Sequence, residues 1–415
     1  MYKRVVVTGL GAVTPLGIGH EIFWENLIAG KSGLEKITHF DVSAFDARIA
    51  GMVKDFEPGN YLEKKEARRL AKFIQFAIAA AQLAVKDAKL TVTPENSERT
   101  GVFIGSGIGG IGFLEEQAKT LLERGPGKLS PFTVPFMICD MAAGYVSINI
   151  GAKGPNSCVV TACASGTHNI GESFRVLQRG EAEVMITGGT EAAITPLGLG
   201  SFCAAKALTT AYNDTPHIAS RPFEAKRSGF VMGEGAGILI LETLEHAKAR
   251  GAQIYAEVVG YGMSGDAHHI TAPAPGGDGA VRAIRATLKD AGVSPDRVDY
   301  VNAHGTSTVL NDKFETMALK TVFGERAYKL PISSNKSMIG HLLGAAGGVE
   351  AIATVLTIKN GLIPPTINYE EKDPDCDLDY VPNVSRVQNV DFAISESFGF
   401  GGHNAVVAFK KYTGT

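Results

Sequence analysis

Three segments of this chain carry residue types that can do covalent chemistry. Thr161-Ala162-Cys163-Ala164-Ser165-Gly166 sets a cysteine among small residues, after a β-branched run and ahead of a segment with helical periodicity. Strand, sharp turn and helix make the layout of a nucleophile elbow, where small neighbours leave room for a substrate carbonyl. A cysteine at a helix N-terminus also gains from the dipole, so a lowered thiol pKa is expected. Asn302-Ala303-His304-Gly305-Thr306-Ser307-Thr308 puts a histidine just past a strand. Asn335-Lys336-Ser337-Met338-Ile339-Gly340-His341 puts a lysine and a histidine at a strand-to-helix junction. Strand ends are where α/β folds gather reacting groups. One cysteine, two histidines and a lysine can take an acyl group from a thioester and polarise a second thioester carbonyl. Residues 397–404, Ser-Phe-Gly-Phe-Gly-Gly-His-Asn, read either as a glycine-rich loop aiming N–H groups at an oxyanion or as a hairpin turn with core aromatics.

The elements that must position these groups alternate. Short β-branched runs at 4–8, 101–104, 157–161, 184–188, 236–242, 256–261, 300–303, 332–334 and 405–409 are expected strands. Helices are expected at 65–88, 166–178, 279–291, 312–323 and 342–359, the signature of a layered α/β fold. The irregular stretch 125–135, with three prolines, reads as a surface excursion or interface loop. A twofold echo runs through the chain. Val159-Val160-Thr161 leads through Cys163 into a helix, and Pro331-Ile332-Ser333-Ser334 leads through Lys336 and His341 into another. A duplicated unit with halves meeting near 250–260 would explain it. Gly105-Ser106-Gly107-Ile108-Gly109-Gly110 fits a dinucleotide fingerprint, but a charged helix and a proline-rich loop follow where a second strand is needed. It reads as a glycine-rich turn near a pocket.

Composition narrows the class. The chain has 415 residues, 45% hydrophobic and 20% charged, so disorder is excluded. Forty basic residues against 43 acidic ones, without a basic block, argue against nucleic-acid binding. Five cysteines with no CxxC pair argue against a disulfide framework or zinc site, and for a reducing, cytoplasmic setting. The longest uncharged stretch, 154–171, is too polar for a membrane span, and the N-terminal apolar run is broken by Gly9, Gly11 and Pro15, as a first strand would be.

Taken together, the segments resemble the elongating β-ketoacyl-acyl carrier protein synthases of bacterial type II fatty-acid synthesis, over nearly the whole chain. The resemblance rests on the three motifs above, on residues 229–237 (Gly-Phe-Val-Met-Gly-Glu-Gly-Ala-Gly), on 341–347 (His-Leu-Leu-Gly-Ala-Ala-Gly), and on both termini. It implies the thiolase fold: duplicated halves, 1–255 with the nucleophilic cysteine and 256–415 with the histidines, in a five-layered α-β-α-β-α sandwich, usually a homodimer. It implies decarboxylative condensation of an acyl group on Cys163 with malonyl-acyl carrier protein, giving 3-oxoacyl-acyl carrier protein and CO2. His304 and His341 would hold the malonyl carbonyl, with Lys336 and Glu350 behind them. The N–H groups of Cys163 and Phe400 would form the oxyanion hole. Thr306 and Thr308 would bond the phosphopantetheine arm, and Ile108, Phe202 and Phe400 would line or gate the acyl pocket. No cofactor is required; a structural Na+ or K+ would sit at Asn302 and Glu350, near backbone oxygens of 395–396. Lys64, Lys65, Arg68, Arg69 and Lys206 could receive the acidic carrier.

The chain departs from the family's pattern at Glu224, Ser228 and Glu396, where Asp, Asp and Asn are common, and at Gly127 in a basic loop. Ser228 lacks a carboxylate for salt bridging, and Glu396 could strengthen or distort the cation site. Two other enzymes compete for the motifs. A cysteine hydrolase would use Cys163, His403 and Asp391, but leaves His304, Lys336 and His341 without a task. A degradative thiolase needs a late second thiolate, and Cys376 lies in an acidic loop. A non-enzymatic partner subunit would lack the active cysteine.

Overall fold

The computed structural model describes residues 2–414. Ten strands carry the frame: β1 (Val5–Thr14), β2 (Thr100–Gly105), β3 (Asn156–Ser157), β4 (Val184–Glu191), β5 (Gly235–Thr243), β6 (Ala256–Gly265), β7 (Tyr300–Asn302), β8 (Ile332–Ser333), β9 (Phe392–Gly399) and β10 (His403–Lys410). Hydrogen bonding joins them in the order β8-β7-β9-β10-β6-β1-β5-β4-β2-β3. The order is a duplication. β3-β2-β4 pair in parallel and β4-β5-β1 antiparallel; β8-β7-β9 and β9-β10-β6 repeat that pattern. The halves join through three residue pairs, Val5–Val258, Val6–Glu257 and Val7–Ala256, where the twofold echo places their meeting.

Helices fill three layers around the two half-sheets. We name α1 (Lys72–Asp87), α2 (Ile111–Arg124), α3 (Met141–Ile150), α4 (Ser165–Gln178), α5 (Asp278–Ala291), α6 (Val309–Phe323) and α7 (Ala346–Asn360). α1 covers the outer face of the first half-sheet and α5, backed by α6, that of the second; α4 and α7 pack together between the halves. Strand alternation sorts the core accordingly. Met185, Leu239, Leu241, Ala405 and Val407 join the central core with α4 and α7. Ile186, Ile238 and Ile240 face α1, while Val406 and Ala408 face α5.

Three elements differ from the sequence expectation, and a fourth segment, 397–404, takes one of its two readings. The helix over 65–88 is two, Lys64–Ala67 and α1, because Leu70 and Ala71 leave helical geometry to enter the core while the charged Lys64-Lys65-Glu66 run has nothing to bury. The strand over 157–161 stops at Ser157. Beyond it Val159 N–H donates to Asn169 (3.1 Å) and Thr161 N–H to Ser165 (2.9 Å), so α4 side chains replace the ladder. The segment 397–404 is a hairpin, β9 and β10 joined at residues 400–402, with Gly401 and Gly402 at φ 86° and 72°. The helix over 342–359 starts at Ala346, after a single tight turn over Leu343–Ala345.

Candidate active site

Cys163 sits in a tight turn, Ala162–Ala164, just before α4. Ala162 takes a left-handed backbone, φ 50°, and Ser165 steadies the turn by donating from its hydroxyl to the Ala162 carbonyl (2.7 Å). The β9–β10 hairpin lies against it. A Cβ on Gly399 would fall 2.6 Å from the Thr161 carbonyl oxygen, so only glycine lets the hairpin this close. The next residue, Phe400, turns its backbone N–H onto the Cys163 sulfur.

His304 leaves β7, and His341 follows the short helix Lys336–Ile339. Their rings meet edge to face, centroids 5.3 Å apart. Both border one cavity of about 370 Å3, with Cys163, Thr306, Thr308 and Phe400. Lys336 is fully buried. Its ammonium donates to the His304 carbonyl (2.6 Å), to Glu350 and, at 3.5 Å, to His304 Nδ1. The N–H of Leu343 donates to His341 Nδ1 at 3.3 Å. Each ring thus accepts at Nδ1, which leaves Nε2–H as the donor. Burial, and then the charge of Lys336, depress both histidine pKa values well below the usual range, so the rings are neutral at pH 7.

The thiol departs from expectation. Burial pushes Cys163 up to about 12, against the opposing pull of Lys336 and the Phe400 N–H. The cysteine lies ahead of the first helical residue, in an apolar cluster with Phe230, Met232 and Leu343, so desolvation outweighs the helix dipole.

The apolar side of the site is built as two parts. Phe202 borders the cavity, whereas Ile108 does not; Ile108 packs behind it in the cluster that contains Cys163. Phe230 stacks edge to face on both Phe202 (5.5 Å) and His341 (5.3 Å), and Phe398 on His304 (5.6 Å). Phe230 and Phe398 stand inside quoted motifs, but nothing in their spacing marks the ring contacts. Sequence reading also missed Asp312 and Glu315 on α6. Glu315 accepts the N–H groups of His304 (2.6 Å) and Gly305 (2.8 Å), and Asp312 that of Thr306 (3.1 Å). Their i, i+3 spacing on a helix after the histidine loop was the available signal.

Asn302 and Ser395 are neighbours in register, and like Ala393 they face α7, which carries Glu350. Both amide atoms of Asn302, the Ser395 hydroxyl and Glu350 Oε2 are buried without a hydrogen-bond partner. Three of these atoms are oxygens, Asn302 Oδ1, the Ser395 hydroxyl and Glu350 Oε2, and such a set suits a hard cation; the Asn302 NH2 is a donor and takes no part. Glu396 points the other way, with Ile394, toward Glu315, so its side chain neither strengthens nor distorts that cluster. Burial and then Glu315 raise its pKa well above the carboxylate range.

The rival triad does not assemble. His403 is exposed at one end of the hairpin, while Asp391 precedes β9 at the other end, beside Lys411. Cys376 is buried in the second outer core and pushed up to about 12 by burial, far from thiolate.

A buried cysteine facing two neutral histidine donors across one cavity, on a twofold α/β frame, defines an acyl-transferring condensing enzyme of the thiolase fold. The comparisons name the family. The family model "Beta-ketoacyl synthase, N-terminal domain" matches residues 2–247, and "Beta-ketoacyl synthase, C-terminal domain" matches 255–370. The chain belongs to the β-ketoacyl synthase family. It is 56% identical to a 3-oxoacyl-[acyl-carrier-protein] synthase 2 of Synechocystis sp., covering 99% of this chain and 98% of the relative. It is 54% identical to the enzyme of that name from Staphylococcus aureus (strain COL), covering 99% of each. A β-ketoacyl synthase from Burkholderia phymatum superposes with a TM-score of 0.92 at 36% identity, over 99% of this chain and 100% of the other. A type II polyketide ketosynthase solved with its acyl-carrier protein (AntDE:AntF) gives 0.91 at 38% identity, over the same shares. No helix among the described residues is long and apolar enough to cross a membrane.

Proposed function

We propose that this chain elongates fatty acyl groups by decarboxylative condensation with malonyl-acyl carrier protein. The observation that carries the reading is one cavity holding Cys163 opposite two histidines whose Nε2–H groups are both free to donate. Cys163 attacks an acyl-carrier thioester; its C–S bond forms as the bond to the carrier sulfur breaks, and the thiol proton passes to that departing sulfur, which leaves as the carrier thiol. The malonyl thioester then enters, its carbonyl oxygen held by His304 and His341. Its C–COO bond breaks, CO2 departs, and the electron pair becomes an enolate that the two donors stabilise. The enolate carbon attacks the acyl carbonyl on Cys163, whose oxyanion is met by the N–H groups of Cys163 and Phe400. The C–S bond breaks, 3-oxoacyl carrier is released, and the departing Cys163 sulfur takes up a proton from solvent to regain the thiol. No strong base is needed, because decarboxylation supplies the carbanion. Neutral histidines fit that task.

Lys336 and Glu350 fix His304, and Thr306 and Thr308, whose hydroxyls lie 2.9 Å apart at the cavity wall, bond the phosphopantetheine arm. Phe202 and Ile108 seat the acyl chain. A monovalent cation, with Asn302, Ser395 and Glu350 as ligands, would supply positive charge behind the histidine loop. Exposed Lys64, Lys65, Arg68, Arg69 and Lys206 receive the acidic carrier. A second copy covers the free β3 edge: Ile148 on the adjoining α3 and Val160, just past the strand, are exposed there. Five unpaired cysteines accord with a cytoplasmic setting. The test is incubation with acyl carrier, peptide mapping of the adduct, then addition of malonyl carrier. Acylation of Cys163 followed by CO2 and 3-oxoacyl product is expected; acyl hydrolysis without condensation overturns the reading.

A further inference from the structure

The duplication repeats the nucleophile's turn as well as the sheet. Ala162–Ala164 leads into α4 and Leu343–Ala345 into α7. Each opens on a non-glycine residue in left-handed geometry, Ala162 at φ 50° and Leu343 at φ 51°. Each closes with the same bond, Ala164 N–H to Thr161 O (3.1 Å) and Ala345 N–H to Leu342 O (3.0 Å). Gly344 is therefore the counterpart of Cys163. Each turn also receives the end of an eight-residue strand from the other half: β9 brings Gly399 and Phe400 to Cys163, and β4 brings Glu191 to Gly344.

At this second centre a carboxylate occupies the space. Glu191 is fully buried, and its hydrogen-bond partners among the described residues are all neutral: Ser106 hydroxyl (2.8 Å) and Ile108 N–H (3.3 Å) on Oε1, Gly107 N–H (2.8 Å) and Gly344 N–H (3.0 Å) on Oε2. Gly344 has no room for a side chain, since a Cβ would lie 2.2 Å from Gly107 N and 2.8 Å from Glu191 Oε2. The carboxylate therefore clamps the turn that carries Ile108 to the turn whose Leu343 N–H orients His341.

We propose that Glu191 is a positioning residue that locks the acyl seat and the malonyl histidine into one register, so that the two half-reactions share a single geometric control. The inference rests on the condensation reading and adds that the clamp transmits acyl-chain fit to decarboxylation. Glutamine at 191 keeps the shape but offers an NH2 where only acceptors fit; turned toward the Ser106 hydroxyl, it leaves the Ile108 N–H without a partner. Ser106→Ala is the milder break at Glu191, removing one of its donors without placing a new one, though the Gly109 N–H loses its acceptor too.

The test measures, for wild type, Glu191→Gln and Ser106→Ala, the acylation of Cys163 by short and long acyl carriers, and the acyl-dependent decarboxylation of malonyl carrier. In Glu191→Gln we expect acylation by long chains to fall about tenfold relative to short ones, the size of one lost charge-assisted bond. The dependence of decarboxylation kcat on acyl length should flatten with it. Ser106→Ala should move both the same way by less. If acyl preference is unchanged in both variants, or if only one half-reaction responds, the clamp is overturned, including where melting temperature falls. If Glu191→Gln does not fold, Ser106→Ala decides alone. A wild-type enzyme that performs neither half-reaction would overturn the functional reading instead.

Discussion

The two turns of this molecule are the same piece of backbone put to opposite uses. At Cys163 the turn leaves space, and the facing strand contributes a glycine and an N–H; at Gly344 the space is filled, and the facing strand contributes a carboxylate. Charge is managed oppositely too. Glu191 is satisfied by four neutral donors, whereas Glu350, beside the active centre, has the buried Lys336 on one oxygen and nothing on the other. Duplicated scaffolds give equal geometry; the side chain at one position decides which copy reacts. On the proposed reading the reacting copy draws its cysteine from one half and its donors from the other.

The sharpest break is Cys163→Ala, which should lower condensation by about 10⁴-fold or more, as loss of a covalent nucleophile does. Gly344 cannot stand in for it, so the residual rate should not depend on a thiol reagent; a reagent-sensitive residual rate would show that another cysteine can serve. Next come the donors. His304→Ala and His341→Ala should each accept acyl groups normally yet lose about 10²–10³ in decarboxylation, the usual cost of one such donor. Normal CO2 release from either would remove that histidine from its role.

Stability separates the turns further. Gly344→Ala forces a methyl onto Gly107 N and Glu191, and should cost about 1–3 kcal/mol by overpacking. Gly127→Ala, with no atom within 4 Å of its added Cβ, should be near neutral. Equal melting temperatures would mean that the second centre is looser than drawn. Phe400, about a third exposed, should cost less than the roughly 3–5 kcal/mol of a core aromatic when changed to alanine. If its ring closes over an empty Cys163, the variant should also release CO2 before acylation; a large melting shift with no uncoupled CO2 makes it scaffold.

The smallest effects are read by pH. Both site histidines are held neutral, while in the unfolded chain they titrate near pH 6.5. The unfolded state then binds protons that the folded state refuses, so this contribution is whole above about pH 6.5 and shrinks as pH falls below it. Melting temperature should drop through that window, and less steeply in His341→Asn. Because burial raises the thiol, alkylation of Cys163 by iodoacetamide should keep rising with pH beyond the range where an ordinary cysteine levels off. A plateau near pH 7 would restore the lowered pKa expected from sequence.

Much was already legible along the chain. Cys163, His304, Lys336 and His341 stand in short motifs whose small neighbours and strand-end positions announce chemistry; α4 and α5 lie within one residue of their expected spans, and α6 starts three residues before its own. Local pattern suffices there because turn geometry and helix periodicity depend on neighbours within a few positions. Other properties depend on what arrives from the other half. The thiol's pKa turned on burial by Phe230 and Leu343, some 70 and 180 residues away, for which the local helix dipole was a poor guide. Glu396 lay next to Ser395 in sequence, yet strand alternation sent their side chains to opposite faces, one toward α6 and one toward α7. Glu191 and Glu315 carry no motif of their own, and the motif around Phe230 does not mark its ring contacts; the meeting of the halves brings Glu191 onto Gly344 and Phe230 onto His341, while α6 returns Glu315 to His304 within one half. Sequence determined which residues could react and where most of the strands and helices around them lie. Tertiary structure decided what surrounds each turn, the desolvated thiol at one and the clamped carboxylate at the other, because desolvation and close packing are set by atoms far along the chain.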